Sequence, residues 1–321
     1  GDLVVDMAQA KRGYANHILY KGSNESAWSA MYAELLVNFP DMRGFKAEAV
    51  FKDKLFEGKL GDVTALRATR TSEINHSAPY YVIANTSDSA VKAVNQAIRQ
   101  GKKVYLTDDG YIVDTPTFEN LLGDYAIYGD ALYKVPNGPS LKALKVYSPP
   151  HQFYWAGVDS PTHTALALKN LGFDLVDTPE EADVVVLESN NFDKSLVGLK
   201  PTIVVGGSAM QRLEKLGLID GFDAEKFSGG SDFEGLMKAI IDDQDPLTSG
   251  YNKNDLFYSN SGNWIAKAPA NFKTLATIAG SDYYIAGWWP GNEKLANKIV
   301  AISGKYNENP LFVYAGNPTN R

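Results

Sequence analysis

Two α/β domains are predicted, the second built on a parallel sheet with helices on both faces. Three observations predict them. The chain has 321 residues, more than one hydrophobic core usually organises. Strand-like and helix-like patterns alternate along most of it. In the second half the strand-like runs, such as "ADVVVLES" and "PTIVVGGS", centre on uninterrupted valine, isoleucine and leucine, as strands covered on both faces must.

The first domain is expected over residues 1–140. "LVVDM" (3–7) reads as a strand and "NESAWSAMYAELLVNF" (24–39) as a helix, with Asn24 placed to cap it. "PYYVIAN" (79–85) is a buried strand. The helix after it carries Val91, Val94 and Ile98 on one face, with Gly101 just past its end. "KVYLTDDGYIVDT" (103–115) predicts strand, turn and strand, because Asp-Gly favours hairpins. "KVPNGPSLKA" (134–143) concentrates proline, glycine, asparagine and serine and reads as the linker.

The second domain is expected over 144–321. Its pattern runs "LKVYSPP" strand, "SPTHTALALKNLGF" helix, "DLVDT" strand, "ADVVVLES" strand, "PTIVVGGS" strand and "MQRLEKLG" helix. Residues from about 220 to 285 lose this regularity and read as a β-rich insertion. "NKIVAISGKYNENPLFVYAG" (297–316) closes the pattern as a hairpin. Both ends of the chain are expected to continue into further protein.

Composition narrows the function. Hydrophobic residues make up 44% and charged residues 21%, enough to bury a core. A net charge of −7 argues against nucleic acid or an anionic membrane as partner. No apolar run approaches the roughly 18 residues that span a bilayer, so no membrane insertion is expected. Cysteine is absent, which excludes disulfides, thiolate metal sites and cysteine nucleophiles. An acidic, cysteine-free chain rich in tyrosine and asparagine suits an exported Gram-positive protein, extracellular or on the cell surface.

Metal and nucleotide motifs are missing. The four histidines, His17, His76, His151 and His163, start no H-x-x-E pair and form no H-E-x-x-H, so no metal site is expected. "DDQD" (242–245) lacks the glycine and terminal glutamate of an EF-hand and reads as a solvated acidic loop. "VVGGSA" and "FSGGSD" (227–232) match neither G-x-G-x-x-G nor the Walker pattern. Both read as tight turns.

Three polar residues should gather beyond the carboxyl ends of the parallel strands, where such sheets bind ligands. His163 lies in the first turn of its helix, which Asp159 or Ser160 could cap with Pro161 at the first helical position. Glu188 ends one strand and Ser208 the next. A Ser208–His163–Glu188 hydrolase set is topologically allowed. Against it, Ser208 to Gln211 is an S-x-x-Q capping box, which accounts for the serine as a cap, and G-G-S-A is not G-x-S-x-G. No catalytic residue is therefore expected. Trp288 and Trp289 in "AGWWPGNEK", with Asn190, are the candidate ligand contacts, although paired tryptophans more often seal a core.

"GDLVVDMAQAKRGYANHILYKG" and "YYVIANTSDSAVKAVNQAIRQGKKV" resemble the region that follows the catalytic domain in large bacterial zinc carboxypeptidases of the carboxypeptidase A type. From about Leu144 the chain resembles the class I glutamine-amidotransferase-like domain often appended to those enzymes. "IAGWWPGNEKLANKIVAIS" is similar to their tryptophan–glycine turn, and "LFVYAGNPTNR" to the strand and Pro-x-x-Arg before their C-terminal helix. The resemblance implies a flavodoxin-like second domain in a non-catalytic accessory region. It implies an upstream peptidase domain of the same protein as partner, with peptide or glycan surface ligands. Zinc is implied only for that upstream domain, and no cofactor for this chain. The chain departs from the pattern where chemistry would reside. It has no peptidase zinc motif, no cysteine at an elbow position filled by Gly207, Ser208 or Ala209, and no histidine after His163.

Overall fold

The computed structural model describes residues 3–27, 38–52, 54–62, 74–153, 158–226, 234–259, 262–317 and 319. Its first regular segments are two short helices, α1 (Arg12–Leu19) and α2 (Phe39–Met42). Residues 3–7 are irregular rather than a strand. Most of the helix expected over 24–39 falls outside the described residues. Asn24 itself forms an Asx turn, its Oδ1 accepting the Ser26 N–H at 3.1 Å.

A four-stranded sheet follows, built from β1 (Tyr80–Ile83), β2 (Tyr105–Thr107), β3 (Gly110–Asp114) and β4 (Gly129–Leu132) in the order β2-β3-β1-β4. Every pairing in it is antiparallel. Helices α3 (Asp88–Arg99) and α4 (Thr115–Asp124) complete the unit. Ser87 caps α3 through the Ala90 N–H, and α3 buries Ala90, Ala93, Val94 and Ala97. The face is shifted from the one predicted: Val91 and Ile98 lie at its margin, where the small alanines let helix and sheet approach. Tyr81 stacks on Phe118 of α4 with ring centroids 4.2 Å apart.

The second unit carries β5 (Lys145–Tyr147), the hairpin β6 (His151–Phe153) and β7 (Val158–Ser160), helix α5 (His163–Asn170), β8 (Asp174–Leu175), β9 (Val184–Leu187), β10 (Thr202–Val205) and helix α6 (Gly206–Leu216). The insertion then supplies β11 (Asp223–Lys226), β12 (Glu234–Ile241), β13 (Asn254–Ser259), β14 (Asn263–Lys267), β15 (Lys273–Ile278) and β16 (Tyr284–Trp288). The hairpin β17 (Ile299–Tyr306) and β18 (Asn309–Tyr314) ends the fold. Its turn residues Asn307 and Glu308 both take positive φ, 47° and 63°, as a two-residue hairpin turn of the primed type requires.

The parallel core runs β8-β5-β9-β10-β18. In chain order these are strands 2-1-3-4-5, the flavodoxin-like winding. Strand β9 shows why both faces must be apolar. Val185 and Leu187 join the core with α6 and the insertion, while Val184 and Val186 pack on the other face with Leu168 and Phe173 from the α5 side. Beyond β18 the sheet turns antiparallel through β17, β15, β12 and β13. β18 is the seam, parallel to β10 on one edge and antiparallel to β17 on the other.

The two units are fastened together. From α3, Asn95 Nδ2 donates to Leu171 O at 2.9 Å and Arg99 donates to Gly172 O, both at the end of α5. Asn85 Nδ2 reaches Ser249 O at 3.3 Å. The amino-terminal segment docks on the second unit: Glu25 N donates to Gly287 O, Gly287 N donates to Ser23 O, and Met42 packs with Leu236 and Tyr258.

Candidate functional site at the carboxyl ends of the parallel strands

Strands β9, β10 and β18 end side by side, delivering Glu188, Gly206 and Ala315 to one rim. Glu188 directly follows β9, and its side chain is only 12% exposed. One carboxylate oxygen accepts the Thr164 N–H at 2.8 Å, and the other accepts Asn317 Nδ2 at 2.6 Å. Thr164 is the second residue of α5, so the carboxylate sits at the positive end of that helix, where negative charge is favoured. Thr162 caps the same helix, its hydroxyl accepting the Ala165 N–H at 3.1 Å. The cap is thus neither Asp159 nor Ser160, and His163, not Pro161, holds the first helical position. Pro161 instead precedes the cap, where its fixed φ and missing N–H cost nothing.

The carboxyl-terminal segment closes over this rim. Asn317 Oδ1 accepts from both the N–H and the hydroxyl of Thr319, and Thr319 Oγ1 lies 3.2 Å from Thr164 Oγ1. Since β10 lies between β9 and β18, the Glu188–Asn317 bond crosses the exit of β10. His163 Nδ1 stands 4.0 Å from Glu188 Oε1, beyond hydrogen-bond length, and the imidazole is 69% exposed. His163 and Glu188 therefore lie at the same rim without a hydrogen bond between them.

Ser208 is not part of that arrangement. Helix α6 begins at Gly206, two residues before the serine, with Val205 in the cap position and no side-chain cap. Ser208 is the third residue of the helix, exposed, and hydrogen-bonded to no described side chain. The capping-box reading fails because Ser208 lies inside the helix instead of at its cap; the Gln211 side chain turns to the insertion, its Nε2 donating to Asn263 Oδ1 at 2.8 Å. The sharp strand-to-helix turn instead falls on Gly206, with φ +82°. A nucleophile elbow places its reactive side chain at such a turn. Here that residue has none, which corrects the expected elbow at Gly207, Ser208 or Ala209. A Cβ added to Gly206 would find only Gly316 O, at 4.0 Å. At Gly207 a Cβ would stand 1.9 Å from Asn263 Nδ2, so Asn263 of the insertion fills the space beside the turn.

The tryptophans sit elsewhere, at the end of β16. Trp289 is 1% exposed and belongs to the main core. Its backbone N–H donates to Ser26 Oγ, which also accepts Asn292 Nδ2. A ring so covered offers no face for stacking on a sugar. Trp288 is half-buried against the same core. Asn190 is exposed on the loop after Glu188, remote in the chain from either tryptophan.

Among the described residues, no group of three or more metal-ligating side chains is placed to hold an ion. No described helix is long and apolar enough to cross a membrane. In "DDQD", Asp242 and Asp245 pair with Lys273 at 2.7 and 2.9 Å, and "FSGGSD" lies outside the described residues. Residues that sequence reasoning missed are Gly206, Asn263, Asn317 and Thr319. Only Gly206 carried a local signal, as the first glycine after an apolar strand.

No family model matches the chain, and no curated protein matches it. Among solved structures, a protein from Thermoplasma acidophilum described as a GMP synthase component is 15% identical with a TM-score of 0.38, over 56% of this chain and 86% of that one. A glutamine amidotransferase from Thermotoga maritima is 13% identical with a TM-score of 0.34, over 55% and 76%. A β-galactosidase from Bacillus circulans sp. alkalophilus is 10% identical with a TM-score of 0.31, over 54% and 28%. The strand order, not these distant likenesses, carries the fold.

Proposed function

We propose that this chain is a non-catalytic accessory region whose second domain keeps an amidotransferase-like elbow without its nucleophile. One observation carries the reading: the sharp, positive-φ strand-to-helix position is Gly206, which has no side chain to attack anything. Two more support it. The helix N-terminus beside it is filled by the protein's own Glu188 carboxylate, which disfavours an anionic ligand there. The Glu188–Asn317–Thr319 hydrogen bonds close the rim where a substrate would enter.

The wider context is proposed from the sequence segments that resemble zinc carboxypeptidase carboxyl-terminal regions. On that reading the chain packs beside an upstream peptidase domain of an exported protein and takes peptide or glycan surface ligands. The test is to incubate the purified chain with glutamine, peptide and ester substrates, with and without zinc. No turnover is expected; hydrolysis of any of them overturns the non-catalytic reading. Binding of the chain to the peptidase domain encoded with it, measured by calorimetry, tests the partner separately.

A serine hydrolase is the second reading, favoured by the 4.0 Å approach of His163 to Glu188. It requires Ser208 to move from the exposed side of α6 toward the imidazole. Esterase activity abolished by both Ser208→Ala and His163→Ala would establish it.

A further inference from the structure

The linker between the two units contains the chain's one Asn-Gly pair, Asn137–Gly138. We propose that it is a site of spontaneous deamidation, at which the backbone nitrogen of Gly138 attacks the side-chain carbonyl carbon of Asn137. The new C–N bond closes a five-membered imide as the Cγ–Nδ2 bond breaks, and the amide nitrogen leaves as ammonia. Solvent water then opens the ring at either carbonyl, giving aspartate or, with the main chain rerouted through the side chain, isoaspartate. No electrons change hands, and water is the only co-reactant.

Three features of the structure favour this asparagine over the others. Asn137 is exposed, and its amide bonds to no described residue. Gly138 has φ +108°, carries no side chain to crowd the attacking nitrogen, and has open space where a Cβ would stand. Several other amides are engaged: Asn38 with Asp41, Asn85 with Ser249, Asn95 with Leu171, Asn292 with Ser26 and Trp289, and Asn317 with Glu188. Asn309 and Asn317 are also followed by proline, which has no N–H with which to attack.

The consequence is local. Each event adds one negative charge between Lys134 and Lys142, and the isoaspartate form lengthens the loop by one main-chain carbon. Both ends of that loop are tied to the first unit, Tyr133 by Asn75 Nδ2 at 2.8 Å and Leu141 by Val104 O at 2.7 Å. An acidic isoform therefore accumulates without unfolding.

The test is to age the full chain in mildly alkaline buffer, folded and in urea, and follow isoaspartate and the amide-to-acid mass gain in the tryptic peptide 135–142. The expected result is conversion at Asn137 at similar rates in both conditions. Asn85 and Asn95 should convert only in urea, and the aged folded isoform should keep its Tm. Asn137→Gln, which must close a less favourable six-membered ring and can give only glutamate or isoglutamate, should abolish isoaspartate in this peptide and slow its amide-to-acid mass gain several-fold. If Asn137 stays amidated in the folded protein while converting in urea, the proposal is overturned.

Discussion

Helices α5 and α6 both start at the carboxyl ends of the parallel strands, and each leaves four backbone N–H groups without intrahelical partners. At α5 those donors are met by oxygen: Thr162 takes the Ala165 N–H and Glu188 takes that of Thr164. At α6 no side chain caps the helix, the first two residues are glycines, and the first turn contains no acidic residue. The difference separates two uses of one geometry. The α5 end is built to be stable and to hold down the carboxyl-terminal segment. The α6 end makes a sharp turn on the positive-φ Gly206 and leaves its first N–H groups without a side-chain acceptor.

Breaking the α5 end should cost most. Glu188→Ala strands the Asn317 amide and the Thr164 N–H, and about 3 kcal/mol of stability should be lost in urea unfolding. A cost below the uncertainty of the titration would mean that water replaces the carboxylate. On the α6 side, Gly207→Ala forces a methyl group into Asn263, and a loss of about 2 kcal/mol is expected. Removing the cap by Thr162→Ala should cost about 1 kcal/mol, whereas Ser208→Ala should change stability by less than about 0.5 kcal/mol. Equal losses from those two would erase the contrast between the helices. Ser208→Asp sharpens it, because a negative charge in the bare first turn of α6 should stabilise by about 0.5 kcal/mol, fading with salt.

The smallest effect concerns the far end of α6. Glu214 is held above the ordinary glutamate range, first by burial and then by its hydrogen bond with and repulsion from Asp223. The folded protein thus keeps this proton at a pH where the unfolded chain has released it. That contribution to stability is complete below the ordinary glutamate value and is lost as pH rises through the raised one. Asp223→Asn removes the repulsion, so thermal melts across that window should fall less with rising pH than in the parent chain. An unchanged slope would leave burial as the sole cause.

How much of this could be read in advance depended on whether the signal was local. "VVVL" is apolar at every position and "TIVV" at all but its first, and both fell where the parallel sheet needs strands buried on two faces. The hairpin of β17 and β18 was legible from its turn. The antiparallel course of the first sheet was not, since strand, helix and strand patterns fit either winding. Ser208 was misread because two glycines give no sign of where a helix begins; Gly206 enters it at a positive φ. Trp289 and Asn317 depend on contacts with Ser26 and Glu188, distant in the chain. No local pattern encodes such partners.

The seam strand has a consequence for how the protein is made. Thr202 pairs with Leu311, so when β10 leaves the ribosome its partner has not been synthesised. Until then one edge of an apolar strand has open hydrogen-bonding groups, the condition that invites pairing with a neighbouring chain. The parallel sheet and the insertion can be completed only by the same late event, the arrival of β18. Misassembly of nascent chains should therefore concentrate in the interval between the emergence of Val205 and that of Tyr314.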